Sequence, residues 1–387
     1  LDLNKRKKLM TEAFNERFGG DPSFWVRAPG RVDLMGSHTD YNLGFVLTLA
    51  IDRDTWIAAR PRDDRKVAIH SLNVEGGAEF CLDAIEHDDH YPWTDYVRGV
   101  ADVLQMEGYE LRGFDGLIHS TIPIGGGLSS SAALEVATAN LFVALNDLDI
   151  DPVRLALLCQ RAENQFVGMS CGILDQYSSV MGQAGCTLLL DCRDLTSHAV
   201  PLASDLTVVI CDTHAKRALT GSEYPERRAQ CEQGVDVLAQ FYPDVKALRD
   251  VTLEQLDAHR SDLSDVVFRR CRFIVEENQR VLSIAEALSV ANRNAIYALS
   301  ASSYEGARDL YEIGSAEMEA MVQAIYSAPG VIGGRQAGAG FGGCLVAVVD
   351  ATQVAAFVRH VSDHYLQSSR IQPDIYPVAA AAGAGLL

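Results

Sequence analysis

The chain has 387 residues, 48% of them hydrophobic and 22% charged, which excludes a disordered tail protein and exceeds what one typical core holds, so two packed domains are expected. Its 33 Lys and Arg against 52 Asp and Glu leave a net charge of −19, with no basic stripe to offset it; such a surface repels nucleic acid and anionic membranes and favours a small-molecule partner. The nine cysteines form no Cys-x-x-Cys pair and residues 1–10 are charged rather than signal-like. No apolar run approaches the roughly 20 residues of a membrane span, and together these features point to a reduced, cytoplasmic protein.

In chain order, residues 12–18 pattern as a short helix stopped at Gly19 and Gly20, and residues 24–28 as a strand. The apolar, partly β-branched runs 45–51, 55–59 and 67–69 extend an early sheet, and 116–122 is a further strand running into Pro123 and a glycine loop. Residues 132–145 read as a nearly all-apolar helix, buried on most sides. Helices follow at 152–167 and 174–182, then strands at 187–191 and 207–212. Beyond about residue 200 long amphipathic helices dominate, at 226–241, 265–288 and 316–326, with strands at 344–349 and 375–378 around a helix at 354–364. Domains are accordingly placed at 1–200 and 201–387. The small-residue tail 379–387 is expected to fray.

Two glycine loops could meet a ligand. Gly125, Gly126, Gly127, Leu128, Ser129, Ser130 and Ser131 lie between a strand and a helix. Glycines let the backbone approach closely, and the helix start offers free N–H groups and a dipole favourable to an anion. This suits ATP phosphates; a glycine turn with a serine cap is the plainer alternative. There is no Gly-x-x-x-x-Gly-Lys-Ser/Thr pattern and no protein-kinase motif set. The second loop, Gly338 to Gly343, matches Gly-x-Gly-x-x-Gly, but a strand follows where a dinucleotide fold needs a helix, which argues against a dehydrogenase. It is either a tight strand-to-strand turn or a glycine wall against a substrate or the first loop.

Polar residues cluster from Arg31 to Asn42, where Arg31, His38 and Asp40 could reach one pocket and bond sugar hydroxyls. Asp175, in apolar and small company, is a candidate base that a cation such as Arg31 would keep ionised, or else a helix cap. Glu163 could share Mg²⁺ with Ser131. The run His87, Asp88, Asp89, His90 is read as an exposed acidic loop rather than a metal site.

These residues add up to a pattern that resembles the galactokinase branch of the GHMP kinases, the superfamily of galactose, homoserine, mevalonate and phosphomevalonate kinases. Three superfamily motifs occur in order: Ala28-Pro29-Gly30-Arg31 through His38-Thr39-Asp40-Tyr41-Asn42, then Gly125 to Ala133, then Gly338 to Cys344. The stretches Cys171 to Gln176, Ser222 to Glu232, Glu277 to Leu282 and Arg308 to Glu312 are galactokinase-like as well. The resemblance implies an α+β, two-domain GHMP-kinase fold with the active site in the interdomain cleft. It implies transfer of the ATP γ-phosphate to the anomeric hydroxyl of D-galactose or a close relative, with ATP as co-substrate and Mg²⁺. Asp175 would be the base and Arg31 its stabilising partner. Ser37, His38, Asp40, Gly172 and Tyr224 would hold the sugar. Trp93 and Tyr96 would pack on adenine, Gly125 to Ser131 would wrap the phosphates, and Ser131 and Glu163 would hold the metal.

A monomer or dimer is expected, and the acidic charge argues against a nucleic-acid or membrane partner. Galactokinases usually carry Glu where this chain has Ser37, and Asn where it has Asp33. Galactose held differently, L-arabinose or a uronic acid all fit that change. A catalytically silent sugar sensor is disfavoured, because Ser131-Ala132 and Asp175 are intact.

Overall fold

A computed structural model describes residues 3–169, 171–215, 223–338 and 340–387. Ser170, Ser222 and Ala339, which fall in or beside the motifs above, lie outside the described residues. The chain opens with α1 (Leu3–Phe18), β1 (Phe24–Met35), β2 (Phe45–Pro61), β3 (Lys66–Ser71) and β4 (Gly77–Cys81). It continues with α2 (Asp95–Met106), β5 (Phe114–Ser120), α3 (Ser130–Asn146), α4 (Pro152–Arg161), α5 (Leu174–Met181), β6 (Cys186–Asp191) and β7 (Thr196–Pro201). Then come β8 (Leu206–Asp212), α6 (Glu223–Leu238), α7 (Leu253–Ala258), α8 (Asp265–Ser289), α9 (Arg293–Asp309) and α10 (Ala316–Tyr326). The last elements are β9 (Val331–Gln336), β10 (Cys344–Asp350), α11 (Val354–Ser369), β11 (Asp374–Val378) and β12 (Gly385–Leu386).

Two sheets result. The first runs β12-β1-β2-β5-β3-β4, with β6 on the other half of β2 and β7 beyond it; the second runs β11-β8-β10-β9. Period-two alternation splits the second sheet between two cores. Val208 and Ile210 of β8 join the large core that also holds α3 and the first sheet, whereas Val209 and Cys211 face Met321 of α10 and Phe357 of α11. That shared core is what fixes the two halves against each other. The α+β expectation holds, and α3 is buried over most of its length, as its alanines, leucines and valines require.

Three local expectations are corrected. The runs at 45–51 and 55–59 are one long strand, because only Asp52 between them turns its side chain to solvent, and its N–H is taken by Ala379. The helix expected over 152–167 is α4 followed by a wider π-helical turn, Ala162–Val167. Residues 379–387 do not fray: Ala381 N–H donates to Ala50, Gly383 to Gly182, Ala384 to Ser179 and Leu387 to Trp25, and β12 pairs with β1. Small residues suit this because a Cβ at Gly383 would lie 2.0 Å from the Val180 carbonyl oxygen. Propensity alone missed α2, α9 and β9.

Candidate active site

Arg31 and Asp33 are two residues apart on a regular stretch of β1, paired with Ala50 and Thr48, so both leave the same face while Val32 enters the core. Helix α5 lies across that face. Asp175 stands in its first turn, and Ser178 hydrogen-bonds Thr48 at 2.8 Å. Arg31 Nε donates to Asp175 Oδ1 at 2.7 Å, and Arg31 Nη1 donates to the Gly127 carbonyl at 2.8 Å. Asp175 Oδ2 accepts a short hydrogen bond from the Ser129 hydroxyl. The strand's cation, the helix's acid and the glycine loop thus meet at one point. The Asp175 side chain remains 26% exposed with Arg31 behind it at 8%, so the acid is the reachable member of the pair.

The glycine loop is held by its carbonyls. Cys344 Sγ donates to Gly126 O at 2.6 Å, Arg31 Nη1 to Gly127 O, and the Arg31 N–H to Leu128 O at 3.2 Å. The peptides among the described residues are all trans, so the N–H groups of residues 127, 128 and 129 point away from those anchors. Gly125 and Gly127 take φ of 78° and 77°, and Ser129 takes 57° just before α3 begins. The second loop backs the first: a Cβ at Gly338 would lie 3.9 Å from Gly127 O, and Cys344 closes that loop. Both readings hold: the loop turns between the paired strands β9 and β10, and its Gly338 backs the first loop.

Glu163 sits in the π-helical turn. Its Oε2 accepts from Gln176 Nε2 at 2.6 Å and Cys171 Sγ at 3.1 Å, and the Ser131 hydroxyl bonds the same carboxylate. Gln176 Nε2 also reaches Glu135 Oε2 at 2.9 Å. Burial, reinforced by nearby acids, raises the pKa of both Glu163 and Glu135. Such a pair would be relieved by a cation. One carboxylate and one hydroxyl match the sparse protein ligation of Mg²⁺, which keeps water and phosphate oxygens. Among the described residues no group of three or more His, Cys, Asp or Glu is placed to hold a metal ion, and His87 and Asp88 instead bond Asp95 and Arg98. Tyr96 lies in the field of Glu163, its hydroxyl pushed up to about 12 chiefly by burial. Trp93 is half-buried against the core, two residues before α2.

On the other side of Asp175, Asp40 fits against Gly172 so closely that a Cβ there would lie 1.7 Å from Asp40 Oδ2. Burial, with the Asp175 and Asp33 charges adding to it, pushes the Asp40 carboxyl up to about 6. His38 adopts φ 67°, and its Nδ1 lies 2.8 Å from the Tyr41 hydroxyl, which lies 2.7 Å from that of Tyr311. The Tyr224 ring packs 5.2 Å from the His38 ring, and its hydroxyl, raised by burial, feels Asp40. Residues from both halves of the chain therefore gather around His38 and Asp40.

Ser37 and Asp33, the two departures from the galactokinase pattern, touch each other. Ser37 Oγ donates to Asp33 Oδ2 at 2.6 Å and accepts from Arg335 Nη2 at 2.9 Å. Arg335 also bonds Ser303 at 3.0 Å and Glu277 Oε1 at 3.1 Å. Burial opposes ionisation of Glu277, but Arg280 and Arg335 outweigh it and lower its pKa.

Comparison with known proteins agrees with this geometry. The galactokinase galactose-binding signature matches residues 12–61, the GHMP kinases N terminal domain matches 95–183, and the GHMP kinases C terminal matches 284–367. The chain is 44% identical to the galactokinase of Roseiflexus sp. (strain RS-1) over 376 residues, covering 97% of this chain and 96% of that one. The chain belongs to the galactokinase family. The galactokinase of Chloroflexus aggregans is 42% identical over 374 residues, covering 97% and 95%. The crystal structure of Lactococcus lactis galactokinase complexed with galactose superposes with a TM-score of 0.94 at 34% identity, covering 98% of this chain and 99% of that one. The Methanococcus jannaschii mevalonate kinase, at 16% identity and a TM-score of 0.65, shares the GHMP kinase fold.

Sequence reasoning missed Tyr311, Glu277 and Arg335 as participants. Their only signal was position, inside or just before motifs of this galactokinase-family chain. It also read Ser129 as a phosphate donor alone, whereas its hydroxyl faces Asp175.

Proposed function

We propose that the protein is an ATP-dependent galactokinase that moves the γ-phosphate of ATP to the anomeric hydroxyl of D-galactose. The observation that carries this reading is the junction of Asp175 with Arg31 and Ser129 at the edge of the glycine loop. An acceptor for a hydroxyl proton and a cradle of backbone N–H groups are then adjacent, as in-line phosphoryl transfer requires.

In this mechanism the galactose hydroxyl replaces the Ser129 hydroxyl on Asp175 Oδ2. Asp175 orients it and takes its proton as the O1–P bond forms and the bond to the ADP oxygen breaks. Arg31 keeps Asp175 ionised and faces the charge that develops. The N–H groups of residues 127–129 and the start of α3 bind the phosphates, and Ser130 adds a donor there. Ser131 and Glu163 would hold Mg²⁺, which supplies charge neutralisation at the phosphates. Asp40, His38, Tyr224 and Gly172 shape the sugar side, with Ser37 behind them. Trp93 and Tyr96 would border adenine.

The likeness to galactokinases over nearly the whole chain favours galactose over L-arabinose or a uronic acid, and the intact Asp175 junction favours an enzyme over a silent sensor. A division near residue 200 into two domains and a cytoplasmic monomer or dimer complete the proposal. The nine free cysteines and the lack, among the described residues, of a helix able to cross a membrane support the location. The test is ADP release with D-galactose, L-arabinose, D-galacturonate, galactosamine and mevalonate. Galactose should give the highest kcat/KM; no turnover with any sugar would refute the reading.

A further inference from the structure

His38 belongs to a buried circuit of side chains drawn from both halves of the chain. Its Nδ1 lies 2.8 Å from the Tyr41 hydroxyl, which lies 2.7 Å from the Tyr311 hydroxyl, which in turn lies 3.2 Å from Cys231 Sγ. Asn42 closes the circuit: its amide donates to the His38 carbonyl at 2.8 Å and also bonds the Cys231 thiol. The rings of Tyr41, Tyr224 and Tyr311 pack around the imidazole at 5.7, 5.2 and 4.9 Å between centroids, so it cannot turn over. The backbone beside Tyr311 is pinned as well. Arg227 Nε donates to the Tyr311 carbonyl at 2.8 Å, and the Phe341 N–H donates to the Ile313 carbonyl at 2.7 Å.

The protons along this line can run in one of two directions. Burial raises the Tyr41 and Tyr311 hydroxyls well above their ordinary value and pushes the Cys231 thiol up to about 11, so all of them keep their protons. If each proton points toward His38, every contact is filled and the line ends on an imidazole nitrogen, a full acceptor. If each points the other way, Nδ1 must supply a proton and the line ends on sulfur, a weak acceptor. The first direction is therefore favoured, and it leaves Nδ1 as an acceptor. The proton of a neutral His38 then sits on Nε2.

We propose that Tyr41 and Tyr311 are positioning residues whose aligned hydroxyls hold His38 in the Nε2–H tautomer, so that the imidazole serves the sugar side as a hydrogen-bond donor. This rests on the galactose-kinase reading, in which His38 shapes the sugar side. Neither tyrosine has to touch the ligand; both act through the ring they face. His38 and Tyr41 come from the N-terminal half and Tyr311 from the segment between α9 and α10. The docking of the two halves thus sets which nitrogen of the imidazole carries the proton.

The experiment pairs nitrogen-15 NMR of the full chain with kinetics. Spectra are taken above pH about 8, where an ordinary imidazole is neutral, and the His38 signals are assigned by their loss in His38→Gln. In the wild type Nδ1 should give the signal of a bare ring nitrogen and Nε2 that of a protonated one. In Tyr41→Phe the two signals should move toward each other as both tautomers become populated. Tyr311→Phe, which keeps the Tyr41 hydroxyl but frees it to point either way, should move them part of that distance. In Tyr41→Phe kcat/KM for D-galactose should fall roughly three- to tenfold, with the KM for ATP within about twofold. The double variant should lose no more than Tyr41→Phe alone, because both hydroxyls act along one line. A protonated Nδ1 in the wild type, signals unmoved in Tyr41→Phe, or losses that multiply in the double variant would make the tyrosines packing residues and overturn the proposal. If Tyr41→Phe does not fold, Tyr311→Phe is read by the same signals. The spectra need no turnover, so a wild type inactive on galactose would sink the functional reading itself, whereas an active wild type with the wrong tautomer would sink only the positioning role.

Discussion

Gly172→Ala tests the sugar side with a single carbon. Gly172 does not take a positive φ, so alanine suits its backbone. The added β-carbon would, however, lie 1.7 Å from Asp40 Oδ2 and 2.5 Å from Asp40 Cγ. Non-bonded carbon and oxygen do not approach within 3.0 Å, so the carboxylate must retreat by more than about 1 Å. Asp40 opens a 3-10 turn whose carbonyl holds the Leu43 N–H, so the turn resists moving with it. A misplacement of that size costs on the order of a hundredfold in a reaction that depends on positioning. We expect kcat/KM for galactose to fall by roughly that factor, while the KM for ATP stays within about twofold, since the glycine loop is untouched. The assay is coupled ADP release with each substrate varied in turn, with thermal melting to verify folding. A folded Gly172→Ala enzyme with wild-type kcat/KM for galactose would show that Asp40 does not touch the sugar.

Three further outcomes follow from the site. Asp175→Asn should lower kcat by roughly 10²- to 10⁴-fold with ATP affinity retained by calorimetry, because a neutral amide cannot take the proton; a rate near wild type removes Asp175 from the chemistry. Asp40 is raised from 3.8 to about 6, so it is an ionised acceptor only above that range, and kcat/KM for the sugar should fall as pH drops through about 6. By the same shift the folded state holds a proton between those values that the unfolded chain has released, so this group's contribution to stability rises as pH falls through the window. An acid limb unmoved in Asp40→Asn assigns it to another group. Glu163→Gln should raise the Mg²⁺ concentration for half-maximal rate by about tenfold or more, and an unchanged Mg²⁺ dependence would place the ion elsewhere.

The first sheet's early strands, the buried α3 and the glycine loop were legible because their patterns are local: β-branched runs, a continuous apolar helix, clustered glycines. The order of motifs marked Arg31, Glu163 and Asp175. What could not be read was anything set by distant pairing. Asp33 and Ser37 stood out as two separate departures, and only the fold shows them sharing a proton 2.6 Å apart under Arg335, a residue 298 positions away. The hydroxyl contact from Tyr41 to Tyr311 likewise spans 270 positions. The tail was misjudged for the same reason: small residues signal looseness in isolation, but here they are what a narrow seam beside Val180 admits.

The seat of β12 on β1 has a consequence for how the protein is made. β1 carries Arg31 and Asp33, and at Val26 and Arg27 one of its edges is covered by Leu386 and Gly385 of β12. During synthesis that edge stays open until Gly385 and Leu386 have left the ribosome, with its backbone donors and acceptors available to any other strand. The nascent chain therefore carries β1 as an unfinished sheet margin until residues 385–386 arrive to cover it.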